Sequence, residues 1–127
     1  MYDPPPLPKS FTYTKDPTRE QLRNIYASSD IYLIPSLSEG FGLTALEAMA
    51  SGCALVMTKT GGYADFSKDN KSAVWVEPGD ANEMVKIVVD LIEDNNKLQN
   101  IAKAGQKAAQ DFSIERAYRR FRDLILN

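Results

Sequence analysis

The chain predicts an α/β fold, a parallel sheet of about four strands with helices on both faces, from three observations. Short apolar runs of strand length alternate with longer stretches whose apolar residues recur every three to four positions, and no internal repeat interrupts them. Strands separated in this way by helices need crossover connections, which makes the sheet parallel. A 127-residue chain that is 43% hydrophobic is long enough for one core burying roughly two-thirds of its unfolded surface.

The elements follow in order. Pro4-Pro5-Pro6-Leu7-Pro8 favours an extended stretch, so residues 1–10 read as a Pro-rich linker or chain edge and 11–127 as the domain. Phe11 to Thr14 alternates like a short strand. Thr18-Arg19-Glu20-Gln21 matches a capping box opening a helix that runs to about Ser29, with Leu22, Ile25 and Tyr26 on one face. Ile31 to Ile34 is the next strand, ended by Pro35. Leu43 to Ser51 is helical in composition, and Gly52 stops it.

Ala54–Thr58 and Ala73–Val76 are further strands, each too short for a stable helix. Asp80 and Glu83 form a second capping box for a helix with Met84, Ile87, Val88, Leu91 and Ile92 on its sheet-facing side. A helix from about Asn96 to Gln110 uses Leu98, Ile101 and Ala108. Ser113 caps a last one bearing Ile114, Ala117, Tyr118, Phe121, Leu124 and Ile125, whose aromatics are packing residues.

The most informative run is Glu39-Gly40-Phe41-Gly42-Leu43-Thr44-Ala45-Leu46-Glu47, which follows a strand and opens a helix. Gly40 and Gly42 allow a tight bend and close approach of a ligand. A helix starting beyond the carboxyl end of a strand turns unpaired N–H groups and its positive dipole end toward the crevice where α/β folds bind ligands. The backbone N–H groups of Phe41, Gly42, Leu43 and Thr44 are therefore candidates to face a phosphate or sugar. Glu39 precedes the helix and Glu47 lies about one turn inside it, so the two carboxylates can grip different parts of one polyhydroxyl ligand. Taken singly, each Glu has a bland reading, as a dipole partner or a solvated helix former.

Glu39 to Glu47 resembles the E-x7-E signature of retaining glycosyltransferases with the two-domain GT-B fold, especially group 1 (family 4). The likeness extends over about Asp16 to Asn127, through Leu22–Ile31, Ala50–Val56 and the turn Thr60-Gly61-Gly62-Tyr63-Ala64-Asp65, where Asp65 stands in a position the family usually gives to Glu. The resemblance implies a Rossmann-like fold, here the partial C-terminal domain of a GT-B enzyme. It implies a nucleoside diphosphate sugar as donor substrate, with no other cofactor, and transfer of the sugar to an acceptor hydroxyl in polysaccharide or glycoconjugate biosynthesis. Glu39 takes the place of the residue that binds donor-sugar hydroxyls, Glu47 of the one that binds the ribose, and Gly61 and Gly62 line the same crevice.

The family's acceptor-binding N-terminal domain, and the upstream Arg and Lys that neutralise the diphosphate, have no counterpart in this sequence. The resemblance thus implies a missing N-terminal domain of the same polypeptide and a fragment inactive alone. In the resembling enzymes the terminal helix reaches back to that other domain, which implies an exposed apolar strip on the last helix here. Lys59, after a strand, is read as a solvated loop residue before a phosphate ligand.

Fifteen basic and 17 acidic residues, a net charge of −2, give no electrostatic argument for nucleic acid. No apolar run approaches the ~18 residues of a transmembrane segment. The absence of His removes His-assisted Ser or Cys catalysis, and no Asp/Glu/Cys group has metal-site spacing, so no metal is expected. Cys53, with apolar neighbours, reads as a buried structural thiol. The polar Met1-Tyr2-Asp3 start and the lone cysteine suggest a cytoplasmic protein, with peripheral membrane attachment through the missing domain left open. Two other classes stay open: a non-catalytic sugar-nucleotide-binding module, and a ligand-free α/β interaction domain.

Overall fold

The computed structural model describes residues 6–62 and 65–126. Pro4 and Pro5 of the Pro-rich stretch, and Tyr63 and Ala64 of the Gly-Gly turn, lie outside them. The element order is α1 (Arg19–Ala27), β1 (Ile31–Ile34), α2 (Leu43–Ala50), β2 (Ala54–Thr58), β3 (Val74–Val76), α3 (Ala81–Glu93), α4 (Asn95–Ala109), a 3-10 turn (Gln110–Phe112) and α5 (Ile114–Leu126). The three strands form one all-parallel sheet in the order β1-β2-β3, with Ile31 opposite Ala54 and Val56 opposite Val74.

The central strand explains the layering. All five residues of β2 are buried. Side chains alternate across a strand, so Leu55 and Met57 enter one core with Ala45 and Met49 of α2, whereas Ala54 and Val56 enter another with Met84 and Leu91 of α3 and Leu98 and Ile101 of α4. Helices therefore cover both faces. No helix among the described residues is long and apolar enough to cross a membrane.

Local chemistry sets the boundaries. Thr18 caps α1 in a full capping box with Gln21. The helix ends two residues before the expected Ser29 because Ser28 and Ser29 turn their hydroxyls back to the carbonyls of Asn24 (2.8 Å) and Ile25 (2.7 Å). Asp80 caps α3 by accepting from the Glu83 N–H at 2.8 Å. Asp94 caps α4 by accepting from the Lys97 N–H at 3.0 Å. Ser113 accepts from the Arg116 N–H at 3.3 Å, as a cap of α5.

Four expectations need correction. Phe11–Thr14 is irregular: alternation alone forms no ladder without a partner strand, and the Phe11 N–H donates to the Pro8 carbonyl at 2.9 Å in a local turn. Ile25 and Ile92 face outward, because α1 buries only Tyr26 and α3 only Met84 and Leu91. The aromatics of α5 are exposed and are not packing residues among the described residues. Tyr118 and Phe121 are each 64% exposed, so the apolar strip expected from the family resemblance is present.

Candidate donor site

The loop from Pro35 to Gly42 leaves the carboxyl end of β1 and enters α2. Gly42 sits at the helix N-cap with φ +80°, a left-handed conformation that a Cβ disfavours, and it is buried. No side chain caps α2. The first N–H that reaches a carbonyl of this turn is that of Leu46, which donates to Gly42 at 3.1 Å, so the amides of Leu43 and Thr44 precede the intrahelical ladder. Thr44 and Leu43 are exposed. The start of α2 is thus left with amides that make no intrahelical or side-chain cap bond.

The Gly61-Gly62 turn closes on this loop. A Cβ on Gly62 would fall inside the Gly40 carbonyl and 2.7 Å from the Glu39 oxygen, so backbone lies directly on backbone. A Cβ on Gly61 would meet nothing within 4 Å. Below the contact, Thr58 donates its hydroxyl to the Ile34 carbonyl at 3.4 Å and to that of Ser36, tying the exits of β1 and β2 together. The Thr60 hydroxyl is shielded from water and finds no hydrogen-bond partner among the described residues.

Phe41 anchors the loop through its side chain. It meets the buried Phe66 edge-on, with ring centroids 5.4 Å apart, and lies 6.2 Å from Phe112; Phe66 and Phe112 are 5.9 Å apart. Three rings from three separated segments hold the Glu39–Gly42 loop, the segment after the Gly-Gly turn and the exit of α4 in register.

Glu47 faces elsewhere. It borders a cleft of about 540 Å³ between α1 and α2 with Arg19, Arg23, Tyr26 and Ser51. The Tyr26 hydroxyl is held well above its usual pKa, first by burial, then by Tyr32 and by the nearby Glu47 carboxylate. Tyr26 and Tyr32 stack edge-to-face at 5.5 Å. Glu39, Gly40, Gly42, Gly61 and Gly62 are therefore brought together, while Glu47 stands on the flank toward α1. Both carboxylate residues are exposed. Lys59 pairs with Glu77 at 3.7 Å, both side chains largely solvated. Among the described residues no three His, Cys, Asp or Glu side chains converge as a metal site.

Cys53 has the expected structural role. It is fully buried, and its thiol donates to the carbonyls of Tyr26 (3.2 Å) and Ser29 (3.3 Å). Sequence reasoning passed over Arg19, Arg23 and Tyr26 as residues that line one cleft with Glu47. The i, i+4 spacing of the two arginines on a capped helix was the available signal. The Phe66 contact had none, since it depends on how the irregular segment after β2 folds.

A protein-family model, Glycosyl transferases group 1, matches residues 6–108, from before α1 almost to the end of α4. The chain belongs to the group 1 glycosyltransferases. Among curated relatives, this group 1 chain is 31% identical over 120 residues to the sulfoquinovosyl transferase SQD2 of Arabidopsis thaliana, covering 92% of this chain and 23% of that protein. Among solved structures it matches Anabaena HepE in complex with UDP with a TM-score of 0.75 and 27% identity, covering 80% of this chain and 28% of the other. HepE has also been solved with UDP-glucose. The C-terminal domain of the group 1 protein LpcC from Francisella tularensis matches with a TM-score of 0.70 and 31% identity, covering 82% of this chain and 53% of that domain. The fold is the Rossmann-like part of a GT-B glycosyltransferase, and the chain spans about a quarter of the length of such relatives.

Proposed function

We propose that this chain is the donor-binding portion of a retaining glycosyltransferase that moves a sugar from a nucleoside diphosphate sugar to an acceptor hydroxyl. The observation that carries the reading is the seating of Gly62 on the Glu39–Gly40 backbone beside the uncapped start of α2, a wall built of main chain with a carboxylate at its rim. Backbone donors suit a diphosphate because they supply partial positive charge without a side chain in the way. Glu39 is assigned to the sugar hydroxyls and Glu47 to the ribose. The Phe41, Gly42, Leu43 and Thr44 amides are assigned to the phosphate or sugar, and Gly61 and Gly62 to the crevice wall. The UDP and UDP-glucose complexes of HepE support this donor class.

Two carboxylates repel a diphosphate unless cations offset them. Arg19 and Arg23 line the same cleft as Glu47. The complete reaction accordingly needs groups outside this chain, including an acceptor-binding domain of the same polypeptide. The test is a transfer assay with a panel of UDP-, GDP- and ADP-sugars, run on this chain alone and on the longer polypeptide that contains it. The reading predicts donor turnover only by the longer protein. Turnover by this chain alone, or no donor used by the longer one, would contradict it.

A further inference from the structure

Glu47 is exposed on the surface of α2, and a free glutamate side chain has rotamer freedom to lose before it can hold a ligand. Its neighbours across the cleft differ in how firmly they are held. Arg19 and Arg23 are exposed, and the ion pairs among the described residues, Lys59–Glu77, Lys97–Asp90, Arg116–Asp111 and Arg122–Asp123, all lie elsewhere. Tyr26 is different. It is only 6% exposed, yet it lines the cleft, and it belongs to a small core with Ala48, the residue after Glu47, and Cys53. The Cys53 thiol donates to the Tyr26 carbonyl and the Cys53 N–H to the Ala48 carbonyl at 3.0 Å, which ties the end of α1 to α2. The edge-to-face contact with Tyr32 fixes the ring itself.

We propose that Tyr26 is the positioning residue of Glu47: its hydroxyl, immobilised by the packing of α1 on α2, donates to the Glu47 carboxylate across the cleft and holds it ready for the donor ribose. The inference rests on the donor-site reading, which assigns Glu47 to the ribose, and adds how that carboxylate is oriented. The chemistry of the pair suits the task. A phenol has a single O–H to donate, whereas a carboxylate accepts on two oxygens with several lone pairs, so Glu47 keeps free acceptors for the ribose hydroxyls. The phenol also remains protonated, because burial, Tyr32 and the Glu47 carboxylate all raise its pKa, and it therefore stays a donor at any ordinary pH. A neutral donor leaves the negative charge on Glu47 for the ligand. Fixing the carboxylate before the ligand arrives removes an ordering cost from binding.

The test is a double-mutant cycle in the longer polypeptide. Calorimetric titration of UDP, GDP and ADP selects the nucleotide that binds most tightly, and that nucleotide is then titrated into Tyr26→Phe, Glu47→Gln and the double variant. Phenylalanine keeps the ring, its burial and its contact with Tyr32, so only the hydroxyl is lost. The expected result is an affinity about two- to tenfold weaker in Tyr26→Phe, the ordering freedom of one long side chain. In the Glu47→Gln background the same change should cause no further loss, a dependence that a purely structural hydroxyl does not produce. Equal losses with and without the Glu47 carboxylate would overturn the inference, as would parental affinity in Tyr26→Phe while Glu47→Gln binds weakly. In both cases the donor site stands. Parental affinity in Glu47→Gln, or no binding of any of the three nucleotides, would instead overturn the donor-site reading and the inference with it.

Discussion

Gly62 rests against the Gly40 carbonyl with no room for a single added carbon, whereas a Cβ on its neighbour Gly61 would meet nothing within 4 Å. Two turns that are far apart along the chain are thereby fused into one wall beside the start of α2. Gly62→Ala must push the turn off the loop and should cost about 1–3 kcal/mol, the usual penalty for overpacking. Gly61→Ala should be close to neutral. Urea denaturation of the two variants separates them, and equal stabilities would refute the contact.

The aromatic trio makes a second prediction. Phe66 is 3% exposed and touches both Phe41 and Phe112, so Phe66→Ala should lose about 3–5 kcal/mol and release the Glu39–Gly42 loop. Amide exchange at Gly40–Thr44 should accelerate by more than at β2. Uniform acceleration would show that the rings stabilise the core without holding the loop.

Stability should fall in alkali. Burial, and secondarily the Asp30 carboxylate, raise the Cys53 thiol above its ordinary pKa. Above about pH 8.5 the unfolded chain loses this proton while the folded one keeps it, so the stabilising difference is intact below that pH and declines as pH rises toward the folded value. The slope approaches about 1.4 kcal/mol per pH unit for one group. Cys53→Ala should flatten the decline between pH 8.5 and 10, measured by urea melts at each pH, while Tyr26 contributes the same sign at higher pH because its hydroxyl is also raised.

The apolar strip of α5 predicts association. Tyr118, Phe121 and Ile125 are each more than 60% exposed, and Ser113 caps the helix at its start. Phe121→Ser should reduce self-association of the isolated chain by light scattering and leave its unfolding free energy within about 0.5 kcal/mol, as for a surface change. A large loss of stability would mean that the helix packs on its own domain.

Much of this fold was legible because local chemistry and tertiary packing agree. Thr18, Asp80 and Ser113 announce three helix starts with side-chain oxygens that do bond the expected amides. β2 is apolar at every position because both faces are covered. Phe11–Thr14 misled because alternation specifies a face and supplies no partner strand. Ile92 misled because periodicity marks an apolar stripe wider than the sheet covers. At the site, the glycine spacing pointed to the loop and the family resemblance to the turn that meets it, but neither pointed to their contact, which depends on the β1–β2 register. Glu47 was legible as a carboxylate on α2; its link to Tyr26 arises from how α1 lies beside α2, which no spacing within α2 encodes.

The donor assignment is tested most directly by calorimetric titration of the nucleoside diphosphate sugar selected by the transfer assay, and of its bare nucleoside diphosphate, into the longer polypeptide and its Glu39→Gln and Glu47→Gln variants. Loss of a charge-assisted bond of about 1.5–3 kcal/mol at Glu47 should weaken both ligands roughly ten- to a hundredfold. Glu39→Gln should weaken the complete sugar nucleotide by a similar factor and leave the bare nucleoside diphosphate nearly unchanged, since the assigned partner of Glu39 is the sugar. Parental affinity for both ligands in both variants would show that the two carboxylates do not hold the donor.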